Sequence, residues 1–147
     1  VMEAALRTVY EVVTGKTLDK VEFTAVRGTE GIKEAEIDLG ARKIRVAVAH
    51  GTGNAKKLLG SIKSGEKSYD FIEVMACPSG CAGGGGQPID GSDRELGFAR
   101  GEVLHTLDTD APVRFSHENP VIETIYAEYF GEPGSERAEE LLHVHAH

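Results

Sequence analysis

The stretch "FIEVMACPSGCAGGGGQP", residues 71–88, constrains the fold more than any other part of the chain. A short apolar run leads into the two cysteines, Cys77 and Cys81, which are the only ones in the sequence. Five of the 18 glycines then follow between positions 80 and 86. This pattern predicts a strand that ends in a tight loop of nearly bare backbone. Open α/β sheets place their ligand sites at such strand ends, so the loop is the first candidate for a functional site.

The sequence before this loop predicts a helix followed by strands. Apolar residues recur at helix spacing in residues 1–15, at Met2, Leu6, Val9 and Val13, and Gly15 is a suitable C-cap. Two alternating segments then predict an antiparallel hairpin, and the apolar core "IRVAVA" predicts a third strand. The hairpin segments are residues 20–28 and 32–40, and the third strand is residues 42–51.

A strand–helix–strand unit is predicted next, and it sets the fold class. Residues 54–65 carry one apolar stripe between Asn54 and Gly65, and residues 69–77 form a fourth strand. Such a unit implies a right-handed crossover and a parallel pair of strands. Further helices are predicted over residues 93–108 and 116–131, and a last one from Ser135. The apolar stripe of residues 54–65 consists of Ala55, Leu58, Leu59 and Ile62. Ser92 or Asp93 is the predicted N-cap of the helix at 93. For the next helix, Asn119 and Pro120 suit the N-cap and N1 positions, and Gly131 suits the C′ position.

The predicted fold class is therefore α/β: a small mixed sheet, hairpin plus parallel strands, with helices before, between and after the strands. The net charge of −8 and the scattered basic residues argue against a nucleic-acid partner. No apolar run reaches the roughly 20 residues of a membrane helix, and no signal peptide is evident, which favours a cytoplasmic protein. Val1 opens inside a helical pattern without an N-cap residue, so we expect a fragment of a longer chain.

Four kinds of chemistry are open to Cys77 and Cys81. They could be buried structural residues, a disulfide, a redox dithiol or ligands of a metal or iron–sulfur group. Proline and glycines argue against an ordinary core position, and three intervening residues are unusual for a dithiol motif. Glycines do suit a bulky cofactor, because bare backbone can approach it and donate N–H groups. Two thiolates cannot close a four-thiolate site, so either histidines join them or the remaining thiolates lie outside this chain. His50, at the end of the third strand, is expected to be a satisfied loop residue.

The cysteine stretch closely resembles the third cysteine motif of the iron-only (di-iron) hydrogenases. The resemblance continues in "VEFTAVRGTEGIKEAEIDLG", "IRVAVAHGTGNAKKLL", "SHENPVIETIYAEYFGEP" and "LLHVH", in the family's order, over essentially the whole chain. It implies one lobe of the catalytic fold, with residues 1–131 as the C-terminal portion of the catalytic domain and residues 132–147 as a tail resembling the small subunit.

The resemblance also implies a cofactor and its ligands. In this family the H-cluster is a 4Fe–4S cubane joined through a cysteine sulfur to a di-iron unit with CO, cyanide and a bridging dithiolate. Cys77 would ligate the cubane, Cys81 would bridge the two parts, and Met75 would pack against the di-iron ligands. The rest of the site would be loop residues that shape the cofactor's surroundings, namely Pro78, Ser79, Gly83 and Gly84. Ser79 departs from the glycine more often found there.

The implied activity is an oxidoreductase reaction, 2H⁺ + 2e⁻ ⇌ H₂, which these 147 residues are not expected to complete alone. The family's other cysteine motifs lie upstream, so the isolated chain is expected to lack the H-cluster and to be inactive. Expected partners are the missing upstream part and ferredoxin or iron–sulfur and flavin subunits, which carry the electrons to or from a ferredoxin or an NAD(P)-linked acceptor. Two alternatives stay open: a cytosolic iron–sulfur assembly protein, related to the prelamin-A-recognition-factor-like group, and a non-catalytic interaction domain.

Overall fold

The computed structural model describes residues 1–18, 22–28, 31–88 and 93–144. The chain divides into two compact units, Val1–Ala111 and Pro112–His147. None of the helices in the described residues is long and apolar enough to cross a membrane. The sequence predicted a division at residue 131 between a part of the catalytic domain and a tail. The compact units describe packing and do not test that division, so it stays a prediction.

A three-stranded mixed sheet forms the centre of the first unit. Its strands are β1 (Ile32–Asp38), β2 (Lys43–His50) and β3 (Phe71–Met75), and β2 lies in the middle. β1 runs antiparallel to β2, whereas β3 runs parallel to it, with His50 opposite Met75. Helix α2 (Thr52–Lys63) connects the parallel pair. The α/β class, the mixed sheet and the crossover helix are thus as predicted.

The hairpin is formed by a different pair of strands from the predicted one. β1 pairs with β2 through a tight turn, in which Gly40 has a φ of 80° and donates its N–H to the Asp38 carboxylate at 2.7 Å. In the segment predicted as the first strand, Thr24–Val26 is a 3₁₀ turn. Its neighbour Phe23 donates its backbone N–H to Glu3 in the first helix, at 3.0 Å. That segment therefore bonds to a helix rather than to the sheet; residues 20 and 21 and the predicted turn at 29–30 lie outside the described residues.

Helix α1 (Met2–Thr14) covers one face of the sheet. The helix forms where the apolar spacing predicted it, and Gly15 ends it in the left-handed conformation. Of the four apolar residues at that spacing, Met2 and Leu6 are buried, whereas Val9 and Val13 are 37% and 55% exposed. The sequence offers no side-chain cap at the start of α1, but Glu73 of β3 supplies one by accepting the Met2 N–H at 2.8 Å.

Helix α2 covers the opposite face, so β2 is buried on both sides. The side chains of Val46, Ala47, Val48 and Ala49 are at most 1% exposed. Ala55 and Leu58 of α2 pack against this strand as the stripe predicted, but Leu59 is 57% exposed. The helix starts two residues earlier than predicted, because Asn54 donates its side-chain amide to the His50 carbonyl instead of capping. Because β2 is packed on both faces, the loop that follows it starts from a rigid strand.

The remaining helices match the predictions in position. Helix α3 spans Asp93–Asp110 in the first unit; Ser92 and the Asp93 side chain lie outside the described residues, so its cap stays a prediction. In the second unit α4 (Pro120–Ile125) continues as a π-helical turn, and α5 (Glu136–Leu142) follows. The predicted caps are present: Asn119 accepts the Val121 N–H, Ser135 accepts the Ala138 N–H, and Gly131 has a φ of 81°.

Candidate functional site

The two cysteines lie in a loop that leaves β3 at the end of the sheet, as the sequence predicted. A 3₁₀ turn, Gly80–Gly83, carries Cys81, and the Gly80 N–H donates to the Cys77 carbonyl at 3.0 Å. Both thiols are free; Cys77 is half-buried and Cys81 is exposed. The disulfide and the buried structural role are therefore wrong for this structure, which leaves two thiols that are accessible to a ligand.

Bare backbone adjoins the Cys77 sulfur. A Cβ added at Gly84 would lie 3.4 Å from Cys77 Sγ and 3.4 Å from the Gly80 carbonyl oxygen. A side chain at position 84 would therefore cover part of the sulfur's surroundings. Without it, backbone atoms can approach whatever the thiol binds, as a metal–sulfur group requires.

Met75 points over the first residue of the 3₁₀ turn. Gly80 has a φ of 59°, and a Cβ built there would lie 2.5 Å from Met75 Sδ. The same point is 3.7 Å from two ring atoms of His50. Met75, Gly80 and His50 thus meet directly beside Cys81, and only glycine satisfies both the backbone angle and the space.

Replacing Gly80 by alanine is expected to displace Met75 as well as strain the backbone. A left-handed non-glycine residue costs about 1–2 kcal/mol. Gly86→Ala is the matched control, because Gly86 has a φ of 89° and nothing within 4 Å of its added Cβ. Gly80→Ala should lower the free energy of unfolding by about 1 kcal/mol more than the control, in line with overpacking. Equal losses in urea unfolding would mean that Met75 does not contact Gly80.

A cavity of about 340 Å³ adjoins this cluster inside the first unit. Its wall includes Met75, Ser79 and Cys81 from the strand end and loop, and His50 from β2. Helices α1 and α3 complete the lining, which includes His105. The cavity therefore borders one of the two free thiols.

His50 is the one residue of the cavity wall whose polar atoms are buried without partners in the described part of the chain. The residue is 4% exposed, and neither Nδ1 nor Nε2 has a hydrogen bond there. Burial lowers the pKa of the imidazole below its usual value, and the charge of Glu73 and the Gly28 backbone oppose this only in part. A buried imidazole without a well-formed hydrogen bond costs free energy, so the expectation of a satisfied loop residue was wrong. Its place at a strand end was visible in the sequence, but its burial was not.

In the wall of the cavity, four charged side chains connect three segments of the chain. Arg7 of α1 is 3% exposed and binds both carboxylate oxygens of Asp108 in α3, at 2.7 and 2.8 Å. Arg27 binds Glu3 of α1, which holds the pKa of that guanidinium above its ordinary value. The network balances two positive charges with two negative ones, so it braces the wall and does not attract an anion.

The predicted site residues are all brought to one region. Cys77, Pro78, Ser79, Cys81, Gly83 and Gly84 lie in the loop, and Met75 is the last residue of β3. The arrangement fits an iron–sulfur group: two accessible thiols, glycine backbone next to a sulfur, and a nearby imidazole without a partner. The sequence missed two residues at this site, His50 and Gly97 of α3, because both reach the loop from elsewhere in the fold.

Comparisons with known proteins point to one family. Residues 1–85 match the family model described as iron only hydrogenase large subunit, C-terminal domain, and residues 98–147 match iron hydrogenase small subunit. The NADP-reducing hydrogenase subunit HndD of Solidesulfovibrio fructosivorans is 51% identical over 145 residues, covering 99% of this chain and 25% of the relative. Iron hydrogenase 1 of Clostridium pasteurianum is 44% identical over 147 residues, covering 97% of this chain and 26% of the relative.

The fold agrees as well. A variant of the [FeFe]-hydrogenase HydA1 from Chlamydomonas reinhardtii superposes with a TM-score of 0.76 and 43% identity, covering 98% of this chain and 43% of that one.

More distant relatives carry other names: cytosolic iron-sulfur assembly component 3 of Rattus norvegicus is 38% identical over 106 residues, covering 71% of this chain and 21% of the relative.

The chain thus spans about a quarter of the length of its curated hydrogenase relatives. The match of the family model to more than half of the residues, the identity to the curated relatives and the shared fold all point the same way. The chain belongs to the iron-only hydrogenase family: residues 1–85 match the C-terminal domain of its large subunit, and residues 98–147 match its small subunit.

Proposed function

We propose that the protein carrying this chain interconverts H₂ with protons and electrons at an H-cluster, 2H⁺ + 2e⁻ ⇌ H₂. The observation that carries the proposal is the loop at the end of β3, where two free thiols flank a glycine-rich turn beside the cavity. Membership of the iron hydrogenase family makes this the first function to test. Because the chain covers about a quarter of those relatives, the activity is proposed for the full-length protein.

In this proposal each loop residue has a defined task. Cys77 would ligate the 4Fe–4S cubane, and Cys81 would hold the cubane and the di-iron unit together. When bound, this cofactor supplies the iron sites at which electrons and protons combine. Met75 packs over the di-iron ligands from its place against Gly80. The remaining loop residues, Pro78, Ser79, Gly83 and Gly84, shape the backbone around the two sulfurs.

The partners follow from what the chain itself does not supply. Two cysteines leave a cubane two thiolates short, so the upstream part of the protein would provide the others. Electrons would pass through ferredoxin or iron–sulfur and flavin subunits, to or from a ferredoxin or NAD(P)-linked acceptor. We propose residues 132–147 as a separate tail.

We also propose a cytoplasmic location. Relatives named cytosolic assembly factors are consistent with it. A relative from Nitratidesulfovibrio vulgaris is instead named a periplasmic hydrogenase large subunit. Cell fractionation with an antibody against the chain separates the two compartments: recovery in the periplasmic fraction would refute the cytoplasmic assignment.

The test of the function is hydrogen evolution by the full-length protein, supplied with the cofactor and a reduced viologen dye. The proposal predicts turnover that stops when the dye is oxidised. The second candidate, an iron–sulfur assembly role, is favoured by the relatives named as assembly factors. It predicts a bound cubane without hydrogen production. A protein that binds no iron would leave only a non-catalytic interaction domain.

The isolated chain of 147 residues is expected to carry no intact H-cluster, because it has only two cysteines. Iron and acid-labile sulfide should both remain well below four per chain after purification without oxygen. Adding the upstream part of the protein should restore both values. Four irons and four sulfides bound by a monomer of the chain alone would contradict the ligand assignment.

A further inference from the structure

Ser79, which lies between the two cysteines, fills a gap between two glycines. The residue is 6% exposed. A Cβ added at Gly83, in the same loop, would lie 2.7 Å from Ser79 Cβ. A Cβ added at Gly97, in α3, would lie 2.6 Å from Ser79 Oγ and 2.7 Å from its Cβ. Real Cβ atoms essentially never approach other atoms closer than 3.0 Å, so the present packing needs glycine at both positions.

The two glycines also bring the loop and the helix close together. A Cβ at Gly97 would lie 3.6 Å from the Gly83 Cα, so backbone packs almost directly on backbone. Glycine is unfavourable within a helix, and Gly97 lies in the body of α3 rather than at an end. The free-energy cost of a glycine in this helix is compensated if the close approach of α3 to the loop holds the loop in place. Arg100, one turn later, donates to the Pro88 carbonyl at 2.7 Å and so holds the far end of the same loop.

We propose that Gly97 is a positioning residue for the cysteine loop. Because Gly97 has no side chain, α3 packs against the turn Gly80–Gly83 and encloses Ser79 between helix and loop. Ser79 lies between Cys77 and Cys81 in the chain, so this contact restrains both cysteines. The functional meaning of this restraint rests on the proposed function, in which both thiols ligate the cofactor. A glycine-rich loop has a high conformational entropy, so the two sulfurs need such a restraint before the cofactor arrives.

The test is a double-mutant cycle in the full-length protein. Gly97→Ala places a methyl group against Ser79 and should lower the Tm by about 2–4 °C. On the Ser79→Gly background the methyl group meets no side chain there, so the same substitution should leave the Tm unchanged or raise it. Gly60→Ala in α2 is the matched control, because its added Cβ has nothing within 4 Å, and it should raise the Tm through helix propensity.

A second readout separates positioning of the thiols from general stability. In the reduced, cluster-free protein, deuterium should label the backbone amides of the turn Gly80–Gly83 about tenfold faster in Gly97→Ala, as for a local loss of about 1.4 kcal/mol; the Gly80 N–H, which donates to the Cys77 carbonyl, is the first of them. Ser79→Gly with Gly97→Ala should label at the rate of Ser79→Gly alone. In the loaded protein, Gly97→Ala should shift the infrared bands of the cofactor's diatomic ligands, and the double variant should reverse the shift.

Several results would overturn the proposal. They are a stabilised Gly97→Ala that resembles Gly60→Ala, a double variant as destabilised as Gly97→Ala, or an altered Tm with unchanged deuterium labelling of the turn Gly80–Gly83. If Gly97→Ala does not fold, the double variant must fold, and its failure would also count against us. The Tm and labelling measurements need no hydrogen chemistry, so an inactive parent protein would refute the proposed function without affecting this result.

Discussion

Replacing Cys81 by serine in the full-length protein is expected to abolish hydrogen turnover. The sulfur at this position is proposed to join the two parts of the cofactor, and a serine oxygen is a harder and poorer ligand for iron. Cys77→Ser should reduce the cubane content first and the activity as a consequence. The measurement is hydrogen evolution with a chemical reductant, together with iron content for each variant.

Met75→Leu is the matched control for these two variants. Leucine keeps most of the apolar volume beside Gly80 but removes the soft sulfur, so the iron content should stay near the wild-type value. The turnover rate should change much less than in Cys81→Ser. If Cys81→Ser retained wild-type turnover, Cys81 would not be the bridging ligand.

Replacing Asp108 by alanine is expected to be the most damaging change outside the cysteine loop. It would remove the contacts of 2.7 and 2.8 Å that the carboxylate makes with the Arg7 guanidinium, which is 3% exposed. Breaking a buried pair costs about 3–5 kcal/mol. Because the Asp108 side chain is 31% exposed and Glu3 lies 3.4 Å from Arg7, we expect about 2–3 kcal/mol, between this and the surface-pair range.

Glu36→Ala is the matched control, because the 2.7 Å ion pair of Glu36 with Lys43 is just as short but lies on the surface. Both side chains are more than half exposed, so this loss should stay below about 1 kcal/mol. Urea unfolding of the two variants compares them directly. A loss in Asp108→Ala no larger than that in Glu36→Ala would show that the buried network does not brace α1 against α3.

The sequence predicted the parts of the fold that are encoded locally. The crossover helix and the parallel strand after it followed from a continuous apolar pattern with clear stops, and Asn119, Ser135 and Gly131 identified their helix ends correctly. The predicted hairpin was wrong because apolar and polar residues alternate in residues 20–28 as regularly as they do in a true strand. Glu3 of α1 decides the outcome by binding Phe23 and Arg27, and such a contact leaves no mark in local periodicity.

The candidate site shows the same division. The cysteine loop was predictable because its cysteines, proline and glycines lie close together in the sequence. His50 and Gly97 were not, since their importance depends on burial and on distances to Gly80 and Ser79. A histidine at a strand end and a glycine inside a helix are ordinary in sequence, and only the fold brings them to the loop.

The most direct test of the central claim is the infrared spectrum of the full-length protein, loaded with its cofactor and kept without oxygen. The claim that Cys77 and Cys81 hold an H-cluster predicts bands of iron-bound CO and cyanide, alongside the iron and sulfide of a cubane. These bands should disappear in Cys81→Ser. A cubane signal without CO and cyanide bands in the wild-type protein would contradict the claim and favour an assembly role instead.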